Sequence, residues 1–139
     1  MKFATISIDV KENPVFIVGI NPGRQRKSQQ TYRVWEGNRS GDLVMEAIDG
    51  YDNLFLTNVC NYQDAELNEE KYEEGLEDLL KNIIELKPKR IICLGAMPHL
   101  AVRILSPPCE VVKLMHPSFI VRFNKDRKAY IKKLRGYLC

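Results

Sequence analysis

Val15-Phe16-Ile17-Val18 runs straight into Gly19-Ile20-Asn21-Pro22-Gly23. Four apolar residues without alternation read as a strand covered on both faces. The two glycines behind it permit a tight turn and a close backbone approach, and the proline stiffens that turn. Leu54-Phe55-Leu56-Thr57, Arg90 to Leu94 and Glu110 to Leu114 repeat the pattern as further buried strands. Helical spacing fills the gaps between them. Leu43, Val44, Ala47 and Ile48 fit a short helix after Gly41. Asn68 is placed as an N-cap before Glu69 and Glu70, with Tyr72, Leu76, Leu79, Leu80, Ile83 and Ile84 behind it and Pro88 closing the segment. Pro98 suits the first turn of a helix ending near Leu105, and Tyr130, Ile131, Leu134 and Leu138 form one stripe in a lysine-rich tail from Lys125 to Leu138.

Strand–helix alternation of this kind predicts an α/β fold. It should be a three-layer αβα sandwich around a mainly four-stranded parallel sheet, with residues 1–139 as one domain. The alternation of Ala4, Ile6, Ile8 and Val10 in Phe3 to Val10 adds an N-terminal edge strand. In such sheets the ligand lies beyond the carboxyl ends of the strands. Four loops qualify: Gly19 to Gly23, Asn58 to Tyr62, Gly95 to Met97, and Met115 to Phe119.

Composition narrows the class. The chain has 139 residues, 45% of them apolar and 28% charged, which suits a soluble domain large enough to bury a core. The longest apolar run, Ile91 to Met97, is too short to span a bilayer, and the N-terminus carries no cleavable apolar stretch. Cys60, Cys93, Cys109 and Cys139 form no CxxC pair, and the only histidines are His99 and His116. A cytoplasmic or nucleoid-associated monomer without metal or cofactor is therefore expected, with Cys93 as a small core residue.

Charge is unevenly spread. Net charge is +3, yet Arg122 to Cys139 carries seven basic residues against Asp126. Arg24 to Arg39 carries five against Glu36, while Asp64 to Asp78 holds eight acids against Lys71. Basic clusters suit a polyanion such as DNA, although a solvated helix face has the same composition.

Two loops carry the chemistry. Gly19 to Gly23 is neither a Walker loop nor GxGxxG, so a nucleoside triphosphate or dinucleotide is unsupported. His116-Pro117-Ser118 places an imidazole at a strand end, beside a rigid proline and before a basic segment. A lone histidine more often packs structurally, so both roles stay open.

Taken together, these motifs resemble the uracil-DNA glycosylase superfamily. Gly19-Ile20-Asn21-Pro22-Gly23 is similar to the water-positioning loop of its mismatch-specific branch. His116-Pro117-Ser118-Phe119-Ile120-Val121-Arg122 is similar to the loop of its iron–sulfur branch. Leu56-Thr57-Asn58-Val59 and Ile92-Cys93-Leu94-Gly95-Ala96 are similar to the family's second and third strand endings, and the likeness covers about Val15 to Arg135. The iron–sulfur branch has four cluster cysteines, with a pair near the N-terminus. This chain has none before Cys60, so no cluster is expected.

The resemblance implies a monofunctional glycosylase acting on uracil, or another deaminated or modified base, flipped out of DNA. Asn21 would hold the water, and as an amide it cannot act as a general base. His116 would stabilise the departing base. Gly19 and Ile20 would line the base pocket, and Asn58 would read the base edge or merely cap a strand end. Trp35, with Tyr32 in reserve, would stack on the base or anchor the core. Phe119 and Ile120 would be the wedge filling the vacated space, unless Phe119 only covers the sheet end. Gly95, Pro117 and Ser118 would approach phosphates, and Arg122, Lys125, Arg127 and Lys128 would supply salt-sensitive attraction. The alternative is the same scaffold holding a flipped base without cleaving it, as a decoy or sensor. A different small α/β hydrolase or nucleotide-binding protein would need a nucleophile elbow or phosphate loop, and neither is present.

Overall fold

The computed structural model describes residues 5–20, 39–61, 68–123 and 125–138. Its elements are β1 (Ile6–Ile8), β2 (Val15–Gly19), α1 (Arg39–Ile48), β3 (Leu54–Asn58), α2 (Glu69–Leu86), β4 (Arg90–Leu94), α3 (Ala96–Leu105), β5 (Glu110–Leu114), α4 (Pro117–Arg122) and α5 (Arg127–Arg135). The five strands form one mixed sheet in the order β1-β3-β2-β4-β5. Only β1 runs antiparallel, pairing Ile6 with Leu56 and Ile8 with Leu54.

Alternation along the strands sorts side chains into two layers. Val15, Ile17, Leu54, Leu56, Ile92, Leu94 and Leu114 face α1 and α5, meeting Val44, Ala47, Ile48 and Leu134. Phe16, Val18, Phe55, Ile91 and Cys93 face α2 and α3, meeting Leu79, Ile83, Ala101 and Val102. Phe16 and Phe55 sit side by side with ring centres 4.9 Å apart. Cys93 is fully buried in this second layer. Burial, with Cys109 adding, pushes its thiol up to about 12, which suits an inert core residue.

The helix ends follow local chemistry. Asn68 caps α2 by accepting from the Lys71 N–H at 2.9 Å. Lys87 closes it in the left-handed region at φ 48°, its N–H donating to Ile83 O, and Pro88 prevents continuation. Against β3, α2 approaches so closely that a Cβ on Gly75 would lie 1.8 Å from the Val59 carbonyl oxygen.

Four expectations need correcting. The N-terminal strand ends at Ile8, because Asp9 turns into the left-handed region at φ 43°. β5 is not buried throughout: Glu110 and Lys113 are exposed on this outermost strand, where charged side chains discourage edge pairing. α1 already includes Arg39, with Gly41 buried inside it, because packing of Leu43 against Ile120 and Tyr130 outweighs glycine's poor helix propensity. The stretch after Met115 is a short helix, α4, rather than a loop.

Gly75 gives a test in which two effects oppose each other. In an open helix, Gly→Ala stabilises by about 1 kcal/mol. The backbone contact at this position should reverse the sign, with Gly75→Ala lowering stability in urea titration by about 1–3 kcal/mol, the usual cost of overpacking.

Candidate functional site

Parallel pairing brings the carboxyl ends of β2, β3, β4 and β5 to one edge of the sheet. Gly19 lies opposite Asn58 in the ladder, and Leu94 lies opposite Leu114. The lacing continues past the strands. Val59 N–H donates to Gly19 O and Cys60 N–H to Ile20 O, both at 2.8 Å, while Gly95 N–H donates to Leu114 O at 2.8 Å. Asn21 and Trp35, with the reserve Tyr32, lie outside the described residues.

Asn58 is 3% exposed, and its side-chain Nδ2 has no hydrogen-bond partner among the described residues. Its backbone, in contrast, is held on both sides. Val59 N–H points to β2, so Asn58 N–H points the other way, toward β1. Among the described residues, β1 pairs no further than Leu56, two residues short. Asn61 takes up the amide instead: its Oδ1 accepts from Asn58 N–H at 3.3 Å. Asn61 Nδ2 donates to Thr57 Oγ1 at 3.4 Å, and Thr57 Oγ1 donates to Asn58 O at 3.3 Å. All three residues are buried. The amide is thus mounted on a satisfied backbone, while its own donor has no acceptor among the described residues. Gly19, opposite in the ladder, sets no side chain against it.

His116 is the N-cap of α4, with Pro117 at the first helical position, where a missing N–H costs nothing. The ring accepts at Nδ1 from Ser118 N–H at 3.0 Å, and Ser118 Oγ lies 2.7 Å from the same nitrogen. Partial burial, and secondarily the charge of Arg122, hold the imidazole below its ordinary value. A neutral ring whose Nδ1 accepts must carry its proton on Nε2. Gly95, at φ 111°, packs flat against it: a Cβ there would lie 3.4 Å from His116 Cβ and 3.8 Å from Cδ2.

Tyr130 was legible only as part of a helical stripe, yet it fixes this junction. Its buried hydroxyl donates to Met115 O at 2.8 Å, and burial pushes its pKa up, keeping it a donor. The ring packs with Leu43 and Ile120, joining α5, α1 and α4 under the histidine.

Several residues take parts other than those their sequence suggests. Ile120 is 6% exposed and belongs to that cluster, so it anchors α4 and cannot be a wedge. Phe119 is 48% exposed and stands beside Phe123, ring centres 4.8 Å apart, with Met115 also exposed. Pro117 is buried and serves the helix start rather than a phosphate. Gly95 N–H is taken by Leu114 O and Ser118 N–H by His116, so neither amide is available to an anion. Arg127 pairs with Glu46 at 2.7 Å, and Arg135 holds Ala47 O at 2.8 Å, pinning α5 to α1. Arg122, Lys125 and Lys128 remain exposed, without ion pairs among the described residues.

Asn58 and His116 stand at the same end of the sheet, on β3 and just after β5. Three strand spacings separate those strands, roughly 14 Å of backbone. That separation leaves room for an amide, a flat ring and an imidazole in line. Alternation turns Asn58, like Leu54 and Leu56, toward the layer holding α1 and α5, the layer that also receives Ile120 of α4.

The hold of Asn61 on this backbone amide is directly testable. In Asn61→Ala the Asn58 backbone amide should exchange with deuterium about fivefold faster or more, the equivalent of one hydrogen bond worth ~1 kcal/mol. Unchanged protection would mean that the three-residue network does not hold Asn58.

The family model of the Uracil DNA glycosylase superfamily matches residues 7–139, from β1 to the C-terminus. No curated protein matches the chain at a significant level. Members of the superfamily are generally DNA glycosylases, so membership points to glycosylase-type activity and to DNA as the substrate class. With its mixed sheet enclosed by helices on both faces and a match that spans nearly its whole length, the chain belongs to the uracil DNA glycosylase superfamily.

Proposed function

We propose that the protein is a monofunctional DNA glycosylase that hydrolyses the N-glycosidic bond of uracil, or of another deaminated base, flipped out of DNA. The observation that carries this reading is a pair of hydrogen-bond donors at one edge of the sheet. One is the unpartnered Nδ2 of Asn58; the other is the Nε2–H of a neutral His116. Two donors at the same end of the sheet, one on β3 and one just after β5, suit a ring with carbonyl oxygens on two edges. Uracil and xanthine have them; cytosine and adenine present an amino donor where Asn58 needs an acceptor.

In the reaction the bond from the sugar C1′ to the base nitrogen breaks, and its electron pair leaves with the base. Water then adds to the sugar cation at C1′ and loses a proton. His116 Nε2–H donates to the base oxygen on which negative charge collects, and Asn58 Nδ2 fixes the opposite edge. Ser118 holds the His116 ring and Tyr130 the Met115 carbonyl just before it, so little reorganisation is needed as the charge develops. By the family likeness, Asn21 positions the water and Trp35 stacks on the base. An amide at position 21 makes this a slow enzyme, because water is held but not deprotonated. Phe119 fills the space that the base vacates, and Arg122, Lys125 and Lys128 meet the phosphates.

Labelled oligonucleotides carrying uracil, xanthine or hypoxanthine, in single and double strands, followed by alkali, test this reading. Uracil strands should be cut at the abasic site, and His116→Ala should slow cutting about 100- to 1,000-fold, as for loss of one oxyanion donor. Tight binding of uracil-containing strands without any cutting would overturn the hydrolase reading in favour of a base-binding module.

Acidity supplies an independent check. Protonation at Nδ1 would set its N–H against the Ser118 N–H, so only the neutral ring keeps the observed geometry. Because the pKa is lowered from 6.5, the rate should stay level as pH falls to that value and drop only below it. A rate that halves at or above pH 6.5 would contradict the neutral donor.

A further inference from the structure

The sheet face that carries α2 and α3 holds an apolar strip that the fold leaves uncovered. In α2, Leu79 and Ile83 are buried, while their neighbours Leu80 and Ile84 are 38% and 64% exposed. In α3, Ala101 and Val102 are buried, while Leu100 and Ile104 are 59% and 65% exposed.

Helix geometry shows where these residues point. At about 100° per residue, Leu80 and Ile84 stand on the clockwise flank of α2's buried stripe, viewed from the N-terminus. Leu100 and Ile104 stand on the anticlockwise flank of α3's. The two helices cross from β3 to β4 and from β4 to β5, in the same direction along the sheet and in the same layer. With the right-handed crossovers that parallel strands require, α2 and α3 run parallel and these two flanks face each other. Gly75 checks the orientation. It sits on the other side of α2's stripe and abuts Val59 at the end of β3, the strand farther from α3. The exposed residues are therefore the two walls of one open groove.

The same flank of α2 continues toward its N-terminus as Glu77 and Glu73, giving a Glu73-Glu77-Leu80-Ile84 line at steps of four, three and four residues. Both carboxylates are exposed and have no ion pair among the described residues. An apolar trough leading into an acidic rim repels phosphate, so this face is unsuited to DNA or an anionic bilayer. A second copy laid parallel, groove on groove, would bring like carboxylates together. The complementary shape and charge belong to an amphipathic helix with aliphatic residues on one face and lysines or arginines beside them.

We propose that the α2–α3 groove docks a basic amphipathic helix of a partner protein, with its apolar residues between Leu80, Ile84, Leu100 and Ile104 and its cations over Glu73 and Glu77. The groove lies on the helical layer rather than at the carboxyl ends of the strands, so the partner and DNA can be held together.

Fluorescence anisotropy with a labelled helical peptide of leucine and lysine, leucines on one face, tests this on the full chain. A leucine–glutamate peptide of the same pattern serves as comparison. The lysine peptide should bind and the glutamate peptide should not. Leu100→Lys and Ile84→Glu should each weaken the lysine peptide by about tenfold or more. Glu73→Lys with Glu77→Lys should transfer preference to the glutamate peptide. These side chains are exposed, and circular dichroism of each variant confirms an unchanged fold. Equal binding of both peptides, or binding indifferent to all four substitutions, would overturn the proposal. So would sedimentation of the free protein as a dimer that Leu100→Lys dissociates, since the occupant would then be a second copy.

Discussion

Ser118 N–H donates to His116 Nδ1 at 3.0 Å, and the site depends on this bond more than on any other. It satisfies one of the orphan donors at the start of α4, so a six-residue helix too short to stand alone has a defined first turn. It also occupies the one lone pair of Nδ1, which forces the proton of the neutral ring to Nε2. Burial disfavours the charged ring in addition, and Arg122 pushes the same way. Capping, tautomer and charge state are thus one constraint expressed three ways. Proline at the first helical position completes it, because a residue with an N–H there would compete for the same nitrogen.

Asn58 is the counterpart across the sheet, and its energetics run the other way. A buried amide donor with no acceptor costs about 1–3 kcal/mol. The fold tolerates that cost only because everything around the donor is satisfied. Asn61 holds the Asn58 N–H beyond the last described β1 pairing, and Thr57 holds the carbonyl. The Asn61 side chain, bonded to a backbone N–H two residues beyond that pairing on β3, therefore bears on how the site is built.

The sheet was readable because β2, β3 and β4 are continuous apolar runs, too short for helices and too apolar for loops. Asn68 and Pro88 bracketed α2 for equally local reasons. What sequence could not give was decided at a distance. Ile120 looks like a wedge beside Phe119, and only the meeting of α1, α4 and α5 turns it inward. Tyr130 has the spacing of an ordinary stripe residue, and nothing local says that its hydroxyl ends on Met115 O. The family resemblance puts Gly95 and Ser118 at phosphates. Their N–H groups instead bond within the protein, to Leu114 O and to His116. Asn21 and Trp35 fall outside the described residues, so their parts in the reaction rest on the family likeness alone.

Charge separates along the same lines as the two layers. The net charge of +3 conceals an acidic helix on one face and a basic C-terminal segment on the other. Some of the basic charge is structural, since Arg127 and Arg135 hold α5 against α1. The cations left over lie after β5, around the helix that His116 caps, where a phosphate chain would pass. Glutamates concentrated on α2 keep that chain off the opposite layer, since like charges repel across distances of about a Debye length, ~10 Å at moderate salt. An acidic flank beside exposed leucine and isoleucine is costly to keep for solubility alone, because fewer apolar side chains would achieve the same end. Together with the exposed cations around α4, this flank fits the proposed protein with two non-competing surfaces.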